Sequence, residues 1–226
     1  MTVNQALVKQ LFDAKAHLGH KSSRVHPKAK KYIYTTENDV SIIDLTQTTQ
    51  LLEKAVKFVE QLAQEKKVLL VVATKKIAAI FVQKLCQDNS LPFITNKWPA
   101  GLLSNFETIT KNIKKLIQMN KDKQEGSWQK FVKHDRLRLE KQLQKLERGY
   151  GGLIQLEKLP DAIFVIDIKK EKNAVTEALR IDIPVIAVVD TNVNPDLVNY
   201  PIPANDDSQS SIEYLADKII SAYAKK

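Results

Sequence analysis

The chain has 226 residues, 43% of them hydrophobic, and its 35 Lys and Arg outweigh 26 Asp and Glu for a net charge of +9. That apolar content suffices for a packed core and excludes wholesale disorder. No apolar run reaches the roughly 18 residues of a membrane span, and a lone cysteine, Cys86, excludes a disulfide framework or a cysteine-based zinc cluster.

The opening residues, MTVNQALVKQLFDAKAHLG, carry Asp13 and no long apolar stretch, so neither a secretory signal nor a transit peptide is expected. The chain reads as soluble and cytosolic. HLGHKSSRVHPKAKKYIY (17–34) follows, with three of the four histidines and five Lys or Arg. VSIIDL (40–45) is a weak strand candidate, and 46–66 has helical periodicity with Thr46 or Thr48 as its expected N-cap. VLLVVAT (68–74) is short, rich in β-branched residues and nearly all apolar, as a strand buried on both faces is. A helix is expected over 75–89 and a weak strand over PFIT (92–95).

Residues 102–148 break this alternation. Leu102, Phe106, Ile109, Ile113 and Leu116 are spaced as a heptad seam. After KDKQEGS, Trp128, Val132, Leu139, Leu143 and Leu146 suggest a second, poorer one, and Gly149, Gly151 and Gly152 mark the return to the core. An antiparallel coiled-coil hairpin is expected over 102–148, inserted into an α/β unit made of 1–101, with its basic N-terminal arm, and 149–226. Strands AIFVIDI (162–168) and PVIAVVD (184–190) flank a helix over 171–182, and SQSSIEYLADKIISAYAKK closes the chain. This alternation predicts right-handed βαβ units in a doubly wound, mostly parallel sheet. There are no internal repeats.

Charge is confined to two of these segments. Residues 1–37 carry seven Lys or Arg against two acids, and 97–148 carry thirteen against six. Residues 38–96 are nearly balanced, at seven against six, and 149–226 are acidic, at eight against twelve. Scattered solubilising lysines would not divide this way; a polyanion-binding footprint would.

For catalysis the motifs are thin. No phosphate-binding loop occurs, VVATKK lacks the glycines of a dinucleotide fingerprint, and no nucleophile elbow is present. Asp44, Asp167 and Asp190 each follow a strand-like run and could gather around a magnesium ion, the basis of a rival reading as a phosphotransfer or nucleotide-binding enzyme. Such residues also cap the turn that follows. His17 and His20 could share a zinc, but Gly19 lies between them, no cysteine is near, and His26 precedes a proline. No catalytic residue, cofactor or metal is therefore assigned. Phosphate binding needs less: Lys21, Arg24, Lys28, Lys30 and Lys31 supply charge, Ser22 and Ser23 hydroxyls, and Gly19 close backbone approach. Tyr32 and Tyr34 could stack on bases, or form a short strand. In the second segment Lys97 and Trp98 precede Gly101, and Ser104 and Asn105 could cap a helix or contact phosphate. Trp98 could stack on RNA or pack the hairpin base. Lys111, Lys114 and Lys115 are expected outside the hairpin near its base.

Taken with VSIIDLTQT, NKWPAGLLSNFETI, LPDAIFVIDIKKEKNAVTEA and IPVIAVVDTNVNPDLVNYPIPANDDS, the opening stretch resembles the bacterial-type small-subunit ribosomal protein S-two family over nearly the whole chain. The resemblance implies a flavodoxin-like fold with an inserted coiled-coil hairpin, and a structural, non-catalytic, cytoplasmic role in the small ribosomal subunit. It implies small-subunit ribosomal RNA and neighbouring small-subunit proteins as partners, with neither membrane nor DNA. It also suggests docking on the solvent side near the head–body junction, and help in retaining the large messenger-binding protein. The RNA-binding set is then Gly19, His20, Lys21, Ser22, Ser23, Arg24, Lys28, Lys30, Lys31 and Tyr32, with Lys97, Trp98, Gly101, Ser104, Asn105, Lys111, Lys114 and Lys115. Three departures stand out: Leu18 replaces an aromatic, Val25–His26 replaces Trp-Asn, and Lys97-Trp98-Pro99-Ala100-Gly101 replaces Arg-Trp-Leu-Gly-Gly. Lys97 cannot make a bidentate fork, and Pro99 lacks a backbone donor.

Overall fold

A computed structural model describes residues 4–224; residues 1–3 and 225–226, which the expected α/β unit includes, lie outside the described residues. Helix α1 (Gln5–Asp13) is capped by the Asn4 side chain, which accepts from the Leu7 N–H at 3.3 Å. Strands β1 (Leu18–Lys21), β2 (Ile33–Glu37) and β3 (Val40–Ile43) form an antiparallel sheet in the order β1-β3-β2. Asn38 and Asp39 turn β2 into β3 at φ 46° and 63°, a left-handed conformation that these two residue types tolerate.

Helix α2 (Leu45–Gln64) begins one residue before the expected start, and its cap is neither Thr46 nor Thr48. Asp44 accepts from the Thr46 N–H at 2.9 Å, while Thr48 turns inward and donates to the Pro203 carbonyl at 2.6 Å. There follow β4 (Leu69–Val72), α3 (Lys76–Asp88), β5 (Phe93–Ile94), α4 (Phe106–Gln124) and α5 (Lys133–Tyr150). Then come β6 (Ala162–Ile166), α6 (Lys172–Arg180), β7 (Val185–Val189), β8 (Tyr200–Pro203) and α7 (Gln209–Ala224).

The second sheet is wholly parallel, ordered β5-β4-β6-β7-β8. By chain position that is 2-1-3-4-5, the flavodoxin-like order. The sequence reading contained no β8, because Pro201 and Pro203 argue against a strand. As an edge strand bonded only to β7, β8 tolerates the missing donors.

Side chains alternate across this sheet. Leu69, Val71, Phe164, Ile166, Ile186 and Val188 face one core with buried residues of α1, α2, α3 and α7. Leu70, Val72, Ile163, Val165, Val185 and Ala187 face the other. The nine-residue α6 packs on that second face, and Trp98, Leu102, Leu103, Ile109 and Ile113 join its core together with Leu153 and Leu156. The expected seam is therefore split. Leu102 precedes α4 and, with Ile109 and Ile113, fills the sheet's second core, Phe106 packing beside them. Only Leu116, with Met119, packs against Trp128 and Leu143 in a separate cluster, flanked by Leu139, Leu146 and Tyr150. Trp128 lies in a 3-10 turn (Ser127–Lys130) before α5, and Val132, expected in the seam, is 68% exposed. Gly126, at φ 71°, ends α4 in the left-handed conformation that suits glycine.

Candidate nucleic-acid interface

The arm at 17–34 comprises β1, two 3-10 turns (Ser22–Arg24 and Pro27–Tyr32) and the start of β2. It is clamped to the loop after β7. The His20 N–H donates to Thr191 Oγ1 at 2.9 Å and the His26 N–H to the Thr191 carbonyl at 2.8 Å. A Cβ on Gly19 would stand 2.7 Å from Thr191 Cγ2 and 3.0 Å from the Ser41 carbonyl. The close approach that Gly19 permits is thus to Thr191, not to a phosphate.

His20 also turns inward. Its Nδ1 lies 3.0 Å from Asp190 Oδ2 and its Nε2 2.8 Å from the Asn192 amide and 3.4 Å from Asp207. The hydrogen bond to Asp190 raises the imidazole pKa, against burial and with help from the nearby carboxylates. Next to it Lys75 Nζ meets Asp206 at 2.7 Å, Asp207 at 2.8 Å and Asp167 at 3.0 Å. Burial opposes the Lys75 ammonium, but its bonds to Asp206 and Asp207 outweigh that and raise its pKa. Burial, followed by repulsion from Asp190 and Asp167, pushes Asp206 up to about 7.

The three strand-end aspartates do not gather as a set: Asp167 and Asp190 both flank Asp206, whereas Asp44 is engaged elsewhere. Asp44 spends its carboxylate on the Thr46 N–H and Gln47, at the start of α2. Asp167, at φ 68°, accepts from the Lys169 and Lys170 N–H groups at 3.0 Å each, so it caps the turn after β6. Between the carboxyl ends of β4 and β6, where this topology places its ligand crevice, Lys170 Nζ donates to the Thr74 carbonyl at 2.7 Å and Thr74 bonds Glu171. Those side chains already engage one another where a nucleotide would sit. His20, Asp190 and Asp206 do bring one ligand atom each within 4.8 Å of one another, a donor set that could hold a divalent cation. The sequence offered no further ligands beside the histidines; the fold supplies two carboxylates from residues 190 and 206.

The rest of the arm faces outward. Lys21, Ser22, Ser23, Arg24, Lys28, Lys30 and Lys31 are exposed. Lys28 and Lys31 share Asp196, at 3.2 and 2.7 Å, and Lys31 Nζ stands 5.1 Å from the ring of half-buried Tyr32. Tyr34 is 77% exposed on β2. Lys21, Arg24 and Lys30 have no ion-pair partner among the described residues.

In the second basic segment Glu177 of α6 organises the loop before α4. Its carboxylate accepts from Trp98 Nε1 at 3.1 Å, the Gly101 N–H at 2.9 Å and the Leu103 N–H at 3.1 Å. Trp98 is buried against the sheet's second core, which decides for packing over stacking on RNA. Gly101 adopts φ 85° to make this turn, and its N–H is spent on Glu177. Gly19, His20, Trp98 and Gly101 are therefore committed within the fold. Ser104 and Asn105 are exposed, and Asn105 sits at the N-cap position of α4 without a capping bond from its side chain. Lys111 pairs with Glu107 at 2.9 Å, whereas exposed Lys97, Lys114 and Lys115 are without ion-pair partners among the described residues. Lys145 was missed: it reaches Lys97 and Lys115 only because α5 returns antiparallel beside α4, where all three border one groove.

The family model described as ribosomal protein S2 matches residues 11–225. A Dehalococcoides mccartyi protein named small ribosomal subunit protein uS2 is 39% identical over 212 residues, covering 94% of this chain and 86% of its own length.

Proposed function

Since the chain belongs to the ribosomal protein S2 family, we propose that it is a structural constituent of the small ribosomal subunit that binds its RNA through two lysine-rich surfaces. It is not an enzyme, and its place of work is the cytoplasmic ribosome, in contact with small-subunit RNA and other ribosomal proteins. The observation that carries the role is the match over residues 11–225. For the surfaces, the support is the outward face of the arm (Lys21, Ser22, Ser23, Arg24, Lys28, Lys30 and Lys31, beside Tyr32) and the base of α4 (Lys97, Ser104, Asn105, Lys111, Lys114 and Lys115). Phosphate contacts dominate affinity for nucleic acid, and exposed lysines, arginines and hydroxyls are groups that make them.

The helical segment 102–148 acts in this reading as a coiled-coil hairpin carried by the α/β unit of 1–101 and 149–226, ordered further by its partners. The chain would sit on the solvent side of the subunit near the head–body junction and help to retain the large messenger-binding protein. Cosedimentation of tagged chain with small subunits after a high-salt wash tests the role. Retention is expected, and complete loss under conditions that keep other subunit proteins bound would overturn it.

A further inference from the structure

We infer that the groove between residues 97–100, α4 and α5 seats one unpaired nucleotide of ribosomal RNA, an inference that rests on the RNA-binding reading above. The groove has a cavity volume of about 830 Å³, inside the roughly 300–1,000 Å³ range of small-ligand pockets. Its lining includes Lys97, Lys115 and Lys145 and no Asp or Glu. All three lysines are exposed and without an ion-pair partner among the described residues, unlike Lys28, Lys31 and Lys111. Three ammonium groups around a groove without a carboxylate make a local field that attracts an anion.

The remaining lining is suited to a base rather than to a simple ion. Gln142 and Asn173 are exposed, and neither amide has a hydrogen-bond partner among the described residues. Asn112 donates to the Tyr150 hydroxyl at 3.2 Å, fixing that ring at the groove wall beside Leu146 and Pro99. Free amides hydrogen-bond base edges, and aromatic and apolar walls accept base faces. Sequence-reading contacts to RNA fall mainly on splayed-out bases, because the deep, narrow major groove of a paired helix is closed to side chains. Gly149, in the last turn of α5, borders the same groove, and a Cβ there would meet nothing within 4 Å. Glycine weakens a helix relative to alanine, and no packing contact requires it here; its effect is to leave the wall open. The other large concavity, beside Cys86 and Gly152, sets Glu147 next to Arg148 and lacks this uniform charge.

The test is binding of the full chain to an in-vitro transcript of small-subunit ribosomal RNA and to a fully paired RNA duplex, across a salt series. The variants are a charge triple (Lys97→Gln, Lys115→Gln, Lys145→Gln) and an amide pair (Gln142→Ala, Asn173→Ala). All five positions are exposed, so both should melt as the parent chain does, which circular dichroism checks. A nucleotide has a phosphate on either side, so the triple should flatten the salt slope for the transcript by roughly one to two units, at about 0.7–0.9 per phosphate. The amide pair should keep the slope, weaken transcript binding about tenfold, as the loss of two hydrogen bonds implies, and leave duplex binding unchanged. If the parent chain does not bind the transcript, the RNA-binding reading itself falls. If it binds and both variants match it, the groove assignment alone falls. A lysine effect without an amide effect means the RNA backbone passes the groove without a base entering, and also overturns it. Unchanged RNA binding with lost cosedimentation would assign the groove to a protein neighbour instead.

Discussion

Glu177 is half-buried, yet its two carboxylate oxygens accept three bonds from residues 98–103. In Glu177→Ala the Trp98 indole and two backbone N–H groups lose their acceptor, and each such donor left unpaired in a buried setting costs about 1–3 kcal/mol. Denaturant titration should show a loss at the upper end of that range or beyond it, with Trp98 fluorescence shifting towards that of a solvated indole. Glu171 gives a pH-dependent counterpart. It is buried, and burial raises its pKa above the ordinary 4.5, against the bond from Thr74. The folded chain therefore holds this proton at pH values where the unfolded chain has lost it. Its contribution to stability is complete below 4.5 and declines as pH rises through the folded-state value. Glu171→Gln keeps an acceptor for Thr74 and removes the titration, so its stability should fall less than the parent's between 4.5 and neutrality. Equal pH profiles for the two chains would contradict this.

At the scale of elements, α4 serves two cores. Its Ile109 and Ile113 belong to the sheet's second face, as does Leu102 just before the helix, whereas its Leu116 packs on Leu143 in the contact with α5. Leu102→Ala should cost about 2–5 kcal/mol of global stability. Leu143→Ala should loosen α4 and α5 locally, which hydrogen exchange would register as lost protection in 116–146 with the parallel sheet still protected. Excision of all of 102–148 would strip the second face, so only a cut through the outer turns should leave a cooperatively folding chain. The sequence displayed β4, β6 and β7 because strands buried on both faces are apolar at every position. It hid β8 behind two prolines and β1 behind Gly19 and His20, whose pairing with β3 no local pattern announces. The seam was visible as spacing, but spacing does not say which partner a helix face meets. The same limit applies to the interface. Exposed lysines are legible as charge, whereas the partners that hold His20, Trp98 and Gly101 within the fold lie 172, 79 and 76 residues away, where no local pattern announces them.

Across the whole molecule, positive charge is managed differently at the two surfaces. Acidic residues of the C-terminal third hold part of the arm in check: Asp196 takes Lys28 and Lys31. The groove between α4 and α5 has no such brake among its lining residues. Asp196→Asn should free both lysines, tighten ribosomal RNA binding several-fold at low salt, and steepen the salt dependence. A variant that binds no better than the parent would remove Lys28 and Lys31 from the RNA contact. The clamp on Gly19 also has a consequence in time. The ribosome synthesises residue 19 long before residue 191, so β1 can pair with β3 well before Thr191 emerges to clamp the arm to the loop after β7. Until then Lys28 and Lys31 also lack the Asp196 that later pairs with them, so the nascent arm is at its most cationic among the nucleic acids of the machine that is making it. The arm's final seat thus depends on a residue 171 positions later in the chain.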